Sequence, residues 1–65
     1  MFVLVNGERL PLPQPPTLAV LLRTLKPSVP FAAARNEELV PRAGYEQCVL
    51  AAGDRIDIVH PTAGG

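Results

Sequence analysis

The sequence predicts an α+β fold, one helix crossing a small mixed sheet. Three observations predict it. The chain opens with a β-branched and aromatic run closed by Asn6-Gly7, the strongest short hairpin signal. A single leucine-rich segment then has helical spacing. After it come short apolar runs separated by Pro, Gly and Asn, which is how strands and turns alternate.

Each element has its own reason. Phe2 to Val5 reads as the first strand, and Glu8 to Leu12 returns as the second. Pro11 and Pro13 have no N–H to donate, which places that second strand at a sheet edge. Pro15-Pro16 is a stiff connector. Thr17 sits where a helix N-cap belongs. Leu18, Leu21, Leu22 and Leu25 recur at i, i+3, i+4 and i+7 and make one apolar helix face. Pro27 ends the helix and turns Lys26 away from helical dihedrals. Phe31 to Arg35 is a third strand, although its three alanines have poor strand propensity. Asn36-Glu37 is a turn, and Glu38 to Val40 is a fourth strand ended by Pro41. Residues 43–47 read as loop or a helical turn, and Cys48 to Leu50 as a brief apolar segment. Gly53-Asp54 turns the chain into a last strand, Arg55 to His60.

Composition bounds the function. With 65 residues there is room for one small domain and none for a large catalytic cleft. The expected division is a body over residues 1–60 and a tail over residues 61–65. Six basic and six acidic residues balance without a basic stripe, which speaks against nucleic acid as the main partner. The opening apolar run is too short for a signal peptide or a membrane span, so a cytoplasmic location is expected. One cysteine, Cys48, excludes an internal disulfide and a multi-cysteine metal site. No bound cofactor and no metal are expected.

Strand alternation sorts the faces. Ile56 and Ile58 point toward the helix, as do Val3 and Val5, whose β-branching suits that layer. Phe2, Leu4 and Val59 then lie on the outer face, an expected apolar patch near the tail and a docking surface for a partner. Cys48 lies among Val49 and Leu50 with no sequence neighbour to activate it, so it reads as a small buried hydrophobe. His60 ends the last strand, either as a partner contact or as a strand-end surface residue. Arg42 is left to pair with a partner's acid or with a local carboxylate such as Glu38. Glu37 and Glu38 read as solvated turn charges.

The sequence finishes in Ala63-Gly64-Gly65. Glycines have no side chain with which to anchor a tail, but they make one thin enough to thread a narrow passage. The order of elements and this ending resemble the ubiquitin-like β-grasp family. Val5-Asn6-Gly7-Glu8 resembles the first hairpin of the bacterial sulfur carriers. Asn36-Glu37-Glu38-Leu39-Val40-Pro41-Arg42 resembles their Asn-x-x-x-Val-Pro-Arg segment. Gly53 to His60, with Ala63-Gly64-Gly65, resembles their last strand and tail. Together these segments resemble the ThiS family, the sulfur carriers of thiazole (thiamine) biosynthesis.

That resemblance implies a protein co-substrate, not an enzyme. Gly65 would be the site of adenylation and of the thiocarboxylate, with Ala63 and Gly64 as the threading tail. Phe2, Leu4, Val59, Arg42 and His60 would face partners. The implied partners are a ThiF-type adenylating enzyme that uses ATP, a sulfur donor such as a cysteine desulfurase, and a ThiG-type thiazole synthase. A carrier subunit for molybdopterin synthesis or tRNA thiolation is the nearest alternative. A non-covalent β-grasp interaction module is another, of a different class. The chemistry is coherent, because an ionised carboxylate must gain a leaving group before sulfur can displace oxygen. The residues from Pro61 to Gly65 reach roughly 17 Å when extended, enough to enter a partner's site while the body stays outside.

Overall fold

Two hairpins and one crossing helix build the molecule. The computed structural model describes residues 1–61. Strand β1, Phe2–Val5, turns back into β2, Glu8–Pro11, with Leu4 opposite Arg9. The turn residues Asn6 and Gly7 have φ of 50° and 83°, the double positive φ of a type I′ hairpin. Strand β3, Ala32–Arg35, turns back into β4, Glu38–Val40, in the same manner. Here the positive φ falls on Asn36 and on Glu37, at 50° and 71°.

Strand β5, Arg55–Val59, joins the hairpins. It runs parallel to β1, with Val5 opposite Ile56, and antiparallel to β3, with Ala32 opposite Val59. The sheet order is β2-β1-β5-β3-β4, so the C-terminal strand is central. The proline-bearing β2 is an edge, as its missing N–H requires.

Helix α1, Leu18–Leu25, starts at Thr17, whose hydroxyl accepts from the Val20 N–H at 3.3 Å. It stops at Lys26, which is left-handed with φ 51° ahead of Pro27. Its buried leucines Leu18, Leu21 and Leu22 form one core with Val3, Val5, Ala33, Leu50 and Ile56. The inward assignment of Val3, Val5 and Ile56 therefore holds, and Ile58 is half-buried against the same core.

Three details differ from the sequence reading. Leu12, Phe31 and His60 lie just outside their strands, so β2 ends at Pro11, β3 begins at Ala32 and β5 ends at Val59. Of the loop or helical turn expected over residues 43–47, the helical turn forms, as a 3₁₀ turn that starts one residue earlier at Arg42–Gly44. The segment Cys48 to Leu50 docks on the helix start: Leu18 N–H donates to the Cys48 carbonyl and Leu50 N–H to the Pro16 carbonyl. That anchors Leu50 in the core and leaves Cys48 half-buried, less enclosed than a core hydrophobe.

Candidate functional site

The last described residues, His60 and Pro61, leave the end of β5 exposed to solvent. Ala63, Gly64 and Gly65, expected to carry the chemistry, lie outside the described residues. What the fold provides is the mounting of that exit.

Two asparagines hold β5 from its flanks. Asn36, in the β3–β4 turn, grips its start. The Asn36 Oδ1 accepts from the Arg55 N–H at 2.9 Å, and the Asn36 N–H donates to the Arg55 carbonyl at 2.7 Å. Asn6, in the β1–β2 turn, grips its end. The Asn6 Oδ1 accepts from the Ile58 N–H at 2.8 Å, and Asn6 Nδ2 donates to the Ile58 carbonyl at 3.3 Å. Both asparagines read in sequence only as turn residues. Their second role depends on a strand about 20 or 50 residues away being brought alongside, which no local pattern encodes.

Asp54 organises the turn that leads into β5. Its carboxylate accepts from Arg35 Nε at 2.9 Å, Ala51 N–H at 2.9 Å and Asn36 Nδ2 at 3.2 Å. Partial burial pushes its carboxyl up, but the bonds from Ala51, Asn36 and Arg35 outweigh that and hold it below the usual carboxylate range. The same bond to Asp54 raises the Arg35 guanidinium above its ordinary value. Glu37 is not simply a solvated turn charge, since it pairs with Arg55 Nη2 at 2.9 Å.

The sheet's outer face divides the expected docking patch. Because β1 and β5 are parallel, Phe2 lies at the far end from the exit and Leu4 sits opposite Arg55. Both are half-buried, and the Arg9 guanidinium covers the Phe2 ring at 4.3 Å. Val59 stands at the exit end, with Asp57 between it and Arg55 along the strand. Across β3 it faces Ala32, while Ala34 lies between Asp57 and Leu39. The small alanines thus leave Val59, 57% exposed, and Leu39, 69% exposed, standing two strands apart on this face. The alanines that weakened the strand assignment shape this surface.

Arg42 is exposed at the start of the 3₁₀ turn and, among the described residues, forms no ion pair with Glu38 or any other acid. It borders a groove with Phe31 and Tyr45, whose rings stack at 6.4 Å. His60 is exposed beside Val59. Among the described residues there is no cluster of His, Cys, Asp or Glu fit to hold a metal ion. No helix among them is long and apolar enough to cross a membrane.

Comparison with known proteins follows this geometry. The family model for the ThiS family matches residues 3–65, a span that includes the terminal glycines. A crystal structure of a thiamine biosynthesis protein (ThiS) from Geobacter metallireducens superposes with a TM-score of 0.82. The two are 22% identical, and the match covers 100% of each chain. At that identity the likeness establishes the shared fold, the ubiquitin-like β-grasp. No curated protein matches the chain.

Proposed function

The chain belongs to the ThiS family, and from that premise we propose that it carries sulfur on the carboxylate of Gly65 for assembly of the thiamine thiazole. In this reading a carboxylate oxygen of Gly65 attacks the α-phosphorus of ATP in the site of a ThiF-type enzyme, and pyrophosphate leaves. The product is a mixed anhydride with AMP. A persulfide sulfur, delivered from a cysteine desulfurase, attacks the acyl carbon and AMP departs with the C–O electron pair. Two electrons from a thiol then split the sulfur–sulfur bond, leaving C(=O)S⁻ on Gly65. A ThiG-type thiazole synthase takes up that sulfur.

The chain's own contribution is presentation. The adenylate must be shielded from water inside the partner, so the carrier body stays outside and a narrow tail enters. Ala63 and Gly64 add almost no width. The outer face around Val59 and Leu39, with Arg42 and His60 near the exit, is the surface offered to the partner. Phe2 and Leu4 extend it toward the far end of the sheet. The body over residues 1–60 and the tail over residues 61–65 act as handle and reagent, and the chain itself catalyses nothing.

The observation that carries this reading is the family match running through Gly65. The test is intact-protein mass after incubation with ATP, a ThiF-type enzyme and a persulfide donor with thiol. The expected outcome is a gain equal to one oxygen replaced by one sulfur, mapped to Gly65 and absent when Gly65 is deleted. An unchanged mass, or a gain on another residue, overturns the proposal.

A further inference from the structure

Strand β1 ends before its parallel neighbour does. Backbone pairing between β1 and β5 stops at Val5 opposite Ile56, yet β5 continues to Val59. Asn6 fills the gap. Its own N–H donates to the Ile56 carbonyl at 2.9 Å. Its side-chain amide then takes both backbone polar groups of Ile58, the N–H at 2.8 Å and the carbonyl at 3.3 Å. A carboxamide has the donor and acceptor of a peptide group. Here it stands in for the next peptide of a strand that has already turned away. The arrangement needs φ 50° at Asn6, a conformation asparagine tolerates better than most residues.

We propose that Asn6 is a positioning residue for the carrier reaction, its amide fixing the direction in which the reactive tail leaves the sheet. The inference rests on the reading of Gly65 as the reacting group. With Asn6 in place, β5 is held from both sides up to Ile58, three residues before Pro61. Without its amide, what holds the end of β5 among the described residues is β3, through Ala32 opposite Val59. The tail would then swing from an earlier pivot and sample directions that miss the partner's site. Such misplacement acts on the chemical step and leaves docking of the body unchanged, because small errors in a near-attack geometry cost rate steeply.

Asn6→Gly is the informative variant, since glycine keeps the positive φ of the turn and removes only the side-chain bonds. Asn36→Gly is its control: it too removes an asparagine side chain at φ 50°, here with its bonds to Arg55 and Asp54, and loosens β5 at the opposite end. Asn6→Asp retains the acceptor for the Ile58 N–H and loses the donor. Carrier-dependent ATP–pyrophosphate exchange is measured with a ThiF-type enzyme across carrier concentrations, at a temperature where circular dichroism shows every variant folded. Asn6→Gly is expected to lower kcat roughly tenfold with KM little changed, Asn6→Asp to fall between, and Asn36→Gly to keep kcat while lowering Tm. Amide exchange on the isolated Asn6→Gly chain should quicken at Ile58 and at Val59 beyond it, and stay slow at the buried Ile56. Wild-type kcat in Asn6→Gly, or an equal loss in Asn36→Gly, overturns the role given to Asn6. No exchange with the unaltered chain overturns the carrier reading itself.

Discussion

Asp54 has its three bonds from Arg35, Ala51 and Asn36 only while it is ionised and the turn before β5 is closed. Its folded pKa lies below the 3.8 of an ordinary aspartate. A carboxyl depressed on folding contributes stability above its unfolded pKa and loses it as pH falls through the folded value. Acid should therefore weaken this fold below about pH 4 partly through Asp54. Asp54→Asn should cost about 1–3 kcal/mol near neutrality, and its Tm gap to wild type should narrow by about pH 3. A gap that widens in acid would contradict the assignment. Glu37 presents the opposite case. Its φ of 71° is a conformation that costs a side-chain-bearing residue roughly 1 kcal/mol. Its bond to Arg55 joins two exposed groups, 53% and 77% accessible, and is worth less than about 0.5 kcal/mol. Relief of strain wins that comparison. Glu37→Gly should raise Tm by a few degrees in a thermal melt, and a lower Tm would show that the ion pair is the stronger effect.

The elements differ in how much of each could be read in advance. Helix α1 was legible throughout because its signals are local: the Thr17 hydroxyl, the leucine spacing and the stop at Lys26-Pro27. Loss of that cap, Thr17→Ala, should cost about 1 kcal/mol, visible as a drop of about 4–8 °C in Tm. Both hairpins were legible from Asn6-Gly7 and Asn36-Glu37, since a two-residue turn fixes the register of its strands. The boundaries of β3 and β5 were not, since Phe31 and His60 fit a strand by composition and are excluded only by the end of their pairing. At Arg42–Gly44 the 3₁₀ turn is too short to leave a periodic signal, which is why loop and helical turn both stayed open there. The outer face was misjudged for a related reason. Alternation correctly put Phe2, Leu4 and Val59 on one side. Their separation depends on β1 and β5 being parallel, a relation between distant segments.

At the scale of the whole molecule the sheet has one face on the helix and one toward solvent, and substitutions should sort by face. Ile56 is wholly buried, and Ile56→Ala should cost about 2–5 kcal/mol. That is most of what so small a core supplies, so this variant should be largely unfolded at body temperature by circular dichroism. Val59 is on the solvent side. Val59→Asp should leave Tm nearly unchanged and raise KM for the adenylating enzyme about tenfold, the effect of losing one good interface anchor. An unaltered KM would remove Val59 from the docking surface.

The sheet order has a consequence for biosynthesis. Strands β1 and β3 do not touch; each meets only β5 on its inner side. Until Arg55–Val59 has been translated and has left the ribosome, the nascent chain amounts to a helix and two separate hairpins, and isolated hairpins are marginal in water. Folding therefore waits until β5 has emerged, and a polypeptide cut short before Arg55–Val59 is complete cannot become a finished handle that blocks the partner's door.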